Sequence, residues 1–182
     1  MPVSRSFAIA LSTASLLALS ACGERTIEAT DESAESVARK VADAEIRLQP
    51  GRWESTMKMD SMEIGGVPPE ARAAMKQQAN SVHTFSTCLT PQDVEKPDAE
   101  FFQKGAAGCT YDTFTMGGGK IQAAMTCKSG NGSMKTTMQG TYAADSYQMA
   151  IQSSGEMQKG MPMKMAMTIT SRRTGDCTGR EE

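Results

Sequence analysis

The chain has 182 residues, 39% hydrophobic and 22% charged, enough for one folded domain with extensions. Its formal net charge of −2, with no dominant basic patch, argues against the phosphate-neutralising surface of a nucleic-acid binder. A single histidine, His83, argues equally against His-based metal sites and catalytic triads.

Residues 1–21 have the form of a secretion signal. Arg5 supplies the positive start, and Phe7 to Ala21 is an uncharged run rich in Ala, Leu and Ser, short of the roughly 20 residues of a permanent membrane span. The segment closes with Leu19-Ser20-Ala21-Cys22, which resembles the lipobox of bacterial lipoproteins. That resemblance implies a lipid anchor, palmitate included, on Cys22, with a plain signal peptide as the competing reading. Gly23 rather than Asp after the cysteine favours the outer membrane under the sorting rule for such lipoproteins.

Residues 22–48 predict a lipidated Cys followed by an acidic, partly helical tether. From Asp31 to Ile46, Ala34, Val37, Ala38, Val41 and Ala44 share a weak apolar face, Thr30 or Asp31 can cap the start, and Glu35 and Arg39 stand at i,i+4. A solvated spacer is the preferred reading, a partner-binding helix the other.

Residues 49–182 predict a β domain. Strands are expected over Gly51–Met62, Val82–Leu89, Cys109–Met116, Lys120–Cys127, Ser133–Tyr142, Ser146–Ser154 and Met163–Arg173. One short helix is expected over Glu70–Ala79, started by Pro69. A second starts at Thr90-Pro91-Gln92-Asp93, a capping box, breaks at Pro97 and resumes over 98–104. Gly117-Gly118-Gly119 and Ala144-Asp145 read as hairpin turns. The fold class is therefore mainly β: an antiparallel meander of about seven strands forming a barrel or half-barrel, with two short inserted helices.

Methionine is the compositional anomaly. Residues 49–182 hold 14, against 8 Leu, Ile and Val together. Met161, Met163, Met165 and Met167 alternate with other residues, and period two places them on one face of a strand. Trp53, Met57 and Met59, then Met134 and Met138, then Met149, form similar faces on other strands. A core in which Met replaces Leu and Ile explains this, as does an adaptable lining for an apolar ligand. A third reading is Cu(I) held by the thioethers of Met161, Met163 and Met165, and a fourth is reversible oxidation of exposed methionines.

Cys88, Cys109, Cys127 and Cys177 remain once Cys22 is set aside, an even number that implies two disulfides in an exported chain. Cys88–Cys109 with Cys127–Cys177 is the preferred pairing. Cys109–Cys127 across the hairpin competes with it. Zinc is disfavoured by the absence of a close Cys pair.

The motifs Pro50-Gly51-Arg52-Trp53-Glu54, Cys88-Leu89-Thr90-Pro91 and Arg172-Arg173-Thr174-Gly175-Asp176-Cys177, with Cys109 and Cys127 between, resemble the exported bacterial domain of unknown function 3617 family over residues 49–177. The resemblance implies a small, mainly β, cell-envelope domain and transfers no functional residue.

His83 has no nucleophile or zinc-protease motif around it, Gly117-Gly118-Gly119-Lys120 lacks the spacing of a phosphate loop, and Asp93 and Glu95 sit in a solvated stretch. The expectation is a cofactor-free, non-enzymatic lipoprotein facing the periplasm and held to the membrane through Cys22. It would bind an apolar or amphipathic ligand or an envelope protein, and no nucleic acid. The alternatives are a Cu(I) carrier and a purely structural or inhibitory module.

Overall fold

The computed structural model describes residues 26–44, 48–78, 81–95, 108–129 and 132–181. The signal segment, Cys22 and the helical resumption over 98–104 lie outside them. Eight strands are present: β1 (Ile27–Ser33), β2 (Gly51–Ile64), β3 (Val82–Leu89), β4 (Cys109–Gly117), β5 (Lys120–Ser129), β6 (Gly132–Ala143), β7 (Ser146–Gln158) and β8 (Met161–Gly175). They form one sheet in the order β1-β4-β5-β6-β7-β8-β2-β3, with every neighbouring pair antiparallel. β1 and β3 are its edges, so the sheet is unclosed, compatible with a half-barrel. The short helices are α1 (Ala34–Asp43), α2 (Pro69–Gln78) and α3 (Pro91–Glu95).

Seven of the strands are those the alternation predicts, and the meander β4 to β8 turns as its hairpin signals require. Gly118 and Gly119, at φ 58° and 69°, make a two-residue turn closed by Gly117 opposite Lys120. Positive φ at both central residues matches the right-handed twist of the flanking strands, and glycine adopts it without strain. The capping box before α3 is formed: the Asp93 carboxylate accepts the Thr90 backbone N–H at 2.7 Å, and the Asp93 N–H donates to Thr90 Oγ1 at 3.2 Å.

The tether is the main correction. Ile27–Ser33 pairs with β4 as an edge strand, Ile27 opposite Met116 and Ala29 opposite Phe114. Ser33, not Thr30 or Asp31, caps α1, accepting the Ser36 N–H at 3.2 Å. The expected Glu35–Arg39 pair forms at 2.6 Å on the solvent side. The opposite face does not stay in water: Ala34, Val37, Ala38 and Val41 are buried, and Val37 has no exposed surface. Ala34, Val37 and Val41 pack with Ile27, Ala29, Cys109, Tyr111, Phe114 and Ala123 into the main core cluster. Two valines and two alanines are a thin stripe, but it lies on a sheet whose own aromatic residues complete the burial.

Of the four register shifts in the sheet, two adjust the alternation in mid-strand: the β2–β8 register shifts between Met59 and Ser61, and the β4–β5 register between Tyr111 and Thr113. Each shift involves one extra residue, which bends the strand and returns the next side chains to the original face. Met59 and Met62, and likewise Tyr111 and Phe114, are three apart in sequence yet share a face. The aspartate at each bulge is fastened on the other side: Asp60 accepts from Thr168 Oγ1 at 2.7 Å and pairs with Lys58 at 3.0 Å. Asp112 accepts from Thr126 Oγ1 at 3.0 Å and faces Lys135 at 3.7 Å.

Candidate functional site

Directly opposed residues of an antiparallel pair share a face, so the registers can be followed across the whole sheet. Ile27 and Ala29 of β1 share a face with Phe114 and Met116 of β4, and these with Ile121 and Ala123 of β5. Ala123 faces Met138 on β6, Met138 faces Ile151 on β7, Ile151 faces Met167 on β8, and Met167 faces Met59 on β2. Met57 faces His83 on the edge strand β3. β2, β4, β5, β6, β7 and β8 therefore all bring methionines to one side, the side that α1 covers at the β1–β4–β5 end. This is the inner face, and Lys58, Lys135, Lys164, Gln139, Gln152 and Thr170 belong to the other.

Met57, Met59, Met134, Met138, Met149, Met163, Met165 and Met167 all lie on this inner face, and all are half-buried. Met138 packs against the core under α1. The others spread along β2, β6, β7 and β8, beyond the cluster that α1 seals. Sequence alternation misses Met62 and Ile64, which the Asp60 bulge returns to the same face, and Met116 and Met125, which join it from β4 and β5. Glycines let neighbouring strands approach closely on it. A Cβ on Gly140 would stand 3.1 Å from the Met149 Cα, and one on Gly155 2.8 Å from the Met134 Cα. Such close strand approach is found at barrel corners.

Trp53 is a correction among the lining residues. It is 1% exposed, its indole N–H donates to the Gln49 carbonyl at 2.9 Å, and its ring stacks on Tyr147 at 6.1 Å. It is core, with no surface to offer a ligand. The inner face also carries two hydroxyl pairs, Ser55 with Ser171 at 2.7 Å beside Trp53, and Thr136 with Ser153 at 2.9 Å next to Met165. Each pair lies directly across two strands and satisfies itself, which removes the cost of burying hydroxyls among apolar groups. Among the described residues, none of these hydroxyls is hydrogen-bonded to a basic side chain. His83 is exposed on the edge strand, with Nε2 2.9 Å from Ser81 Oγ.

The sequence motifs converge elsewhere, at the end of the sheet where β2 begins and β3 and β8 finish. Arg173 Nε donates to the Pro50 carbonyl at 2.6 Å and Nη2 to Asp176 at 3.0 Å. Gly51, at φ 135°, has no room for a side chain between the Gly175 carbonyl and the Arg173 guanidinium. Cys88 and Cys177 are bonded there, Cα atoms 5.5 Å apart, while Cys109 and Cys127 are bonded across the β4–β5 hairpin at 4.0 Å. The preferred pairing is thus corrected and the hairpin pairing holds. Cys109 and Cys127 are exact register partners, while Cys88 lies on β3 at one side of β2 and Cys177 follows the end of β8 at the other. This end is a latch whose groups bind one another.

The C-terminal hook completes the latch. Glu181, with its side chain 3% exposed, accepts from the Thr178 N–H at 2.8 Å and lies 3.9 Å from the Arg52 guanidinium. The Thr178 backbone N–H is the main reason its carboxyl falls from 4.5 to about 2. A lowered carboxyl value stabilises the fold fully above its ordinary value and loses that contribution as pH falls toward the folded one. Glu181→Gln is therefore expected to lower the urea midpoint at neutral pH. The gap from the parent protein should close as pH drops from 4.5 toward about 2, in urea titrations across that range.

Among the described residues, no group of three or more His, Cys, Asp and Glu could hold a metal ion, and no helix is long and apolar enough to cross a membrane. A family model described as "Protein of unknown function (DUF3617)" matches residues 48–177, well over half of the chain. No curated protein and no solved structure matches it significantly.

Proposed function

We propose that this chain, which belongs to the DUF3617 family of proteins of unknown function, is a non-catalytic binding module for an apolar or amphipathic small molecule. The observation that carries this is the inner face. Six strands bring methionines to it, α1 closes one end of it, and Met57, Met59, Met134, Met149, Met163, Met165 and Met167 are half-buried along it. Methionine suits such a surface because its unbranched, polarizable side chain repacks around ligands of different shape. A half-barrel interior is a common place for a ligand. The ligand-contacting residues are Met57, Met59, Met134, Met149, Met163, Met165 and Met167.

The module works in the periplasm as an outer-membrane lipoprotein, held by lipid on Cys22. Two disulfides support an oxidising compartment, and the lipobox-like Leu19-Ser20-Ala21-Cys22 supports the anchor.

A fluorescent long-chain fatty acid tests the site. Met165→Gln with Met167→Gln places two amides where the tail would rest and is expected to weaken binding at least tenfold, about 1.4 kcal/mol. Unchanged affinity, or an inner face that admits no probe, favours a structural or inhibitory module instead. Native and denaturing mass spectra of residues 23–182 made in a periplasm then identify any guest carried through purification.

A further inference from the structure

We infer that Met59, Met62, Met165 and Met167 form a thioether site for a soft monovalent cation, Cu(I) in its biological form. The carrying observation is the cross-strand register: on the inner face Met59 lies directly opposite Met167 and Met62 directly opposite Met165. Opposed residues have Cβ atoms about 4.5–5.5 Å apart. The two pairs are consecutive rungs of one ladder, and the Asp60 bulge is what brings Met62 onto it. Four sulfurs on flexible side chains thus start within reach of one point. Met161, Met163 and Met165 lack this property. They run along a single strand at about 3.3 Å per residue, so the outer two start about 13 Å apart.

The donor set also selects the metal. The rungs of β2 and β8 around the quartet carry Met57 opposite Ile169 and Ile64 opposite Met163, with no carboxylate among them. Asp60, the acid at the bulge between Met59 and Met62, is held by Thr168 and Lys58 on the outer face. The quartet itself is neutral and all sulfur, and the Ser153 hydroxyl opposite Met165 is already engaged with Thr136 at 2.9 Å, so the four ligands give nothing to Mg²⁺, Ca²⁺ or Zn²⁺, which require oxygen, nitrogen or thiolate. The quartet suits Cu(I), for which thioethers are preferred ligands. This inference is independent of the apolar-ligand proposal, since it needs only the quartet and not an open cavity.

The test is anaerobic titration of the intact, disulfide-bonded protein with Cu(I) against bicinchoninate, in ascorbate. One equivalent is expected to bind with sub-micromolar affinity, and X-ray absorption should show sulfur-only coordination. Met59→Leu with Met165→Leu keeps the apolar volume, as Leu–Met exchanges are among the best tolerated. It should weaken binding at least a hundredfold while the circular-dichroism melt stays near that of the parent protein. Met161→Leu should leave the affinity unchanged. The inference is overturned if the parent protein fails to compete with bicinchoninate, if nitrogen or oxygen dominates the coordination, if the double variant retains its affinity, or if Met161→Leu abolishes binding. Fatty-acid binding, measured separately, reports on the other proposal alone.

Discussion

A chain beginning at residue 48, where the family match starts, is expected to lose cooperative folding. It would lack β1 and α1, and with them Ile27, Ala29, Ala34, Val37 and Val41 of the core cluster. Fully burying an aliphatic side chain of the Val or Ile kind contributes about 1.5–3 kcal/mol. Ile27, Val37 and Val41 alone therefore account for about 5–9 kcal/mol, an upper figure because the unfolded chain already buries some of that surface. A domain of this size has a total stability of about 5–15 kcal/mol, so the loss is comparable with the whole. The truncation also uncovers the β4 edge and the inner side of Tyr111 and Phe114 beside it, which invites strand-to-strand association. A chain beginning at residue 26 keeps all of these contacts. Thermal melts and size-exclusion chromatography of the two truncations separate the outcomes. A cooperative, monomeric melt from the shorter one would show that the helix and strand are ornaments of the fold. Val37→Asp in the full chain isolates the helix contribution: an unpaired charge at a position with no exposed surface should unfold the core without any truncation.

What the sequence makes legible follows from how local each signal is. Met161 to Met167 alternate with Pro162, Lys164 and Ala166, and such a period-two run can be read without knowing its neighbours. The same holds for the Gly118-Gly119 turn and for the Thr90–Asp93 cap. Three features depend on partners far away in the chain. β1 is a short strand with only Ile27 and Ala29 to mark it, and it exists because β4 offers an edge more than seventy residues later. α1 resembles a solvated helix because its apolar stripe is Val and Ala, and the aromatic residues that make the stripe sufficient, Tyr111 and Phe114, come from β4. Met62 falls out of phase with Met57 and Met59 because the bulge that rephases it is a property of the β2–β8 pairing. Trp53 shows the opposite limit. Its alternation with Met57 and Met59 is real, but the Gln49 carbonyl and the Tyr147 ring decide that it is sealed while the methionines remain half-buried.

The disulfides form the second large expected effect, and their unequal loops set the order. Cys88 and Cys177 are 89 residues apart, Cys109 and Cys127 only 18. In the chain-entropy model these loops correspond to about 4.6 and about 3.2 kcal/mol of restriction on the unfolded chain. Cys88→Ser with Cys177→Ser should therefore lower the melting temperature by roughly 10–18 °C, and Cys109→Ser with Cys127→Ser by roughly 6–12 °C. The structure widens the gap in the same direction. Cys109 and Cys127 are register partners in a hairpin whose Gly118-Gly119 turn and ladder bring them together without a bond. Cys88 lies on the edge strand β3 and Cys177 beyond the end of β8, with β2 between those strands, so their bond fastens the sheet edge and the C-terminal latch at once. Loss of that bond frees the segment carrying Asp176, Thr178 and Glu181, whose contacts with Arg173 and Arg52 depend on its path. The acid-dependent increment from Glu181 should then disappear together with the Cys88–Cys177 bond and persist without Cys109–Cys127. A triple variant carrying Cys88→Ser, Cys177→Ser and Glu181→Gln should consequently melt with the cysteine variant rather than below it, whereas additive losses would mean that the hook holds its place without the disulfide.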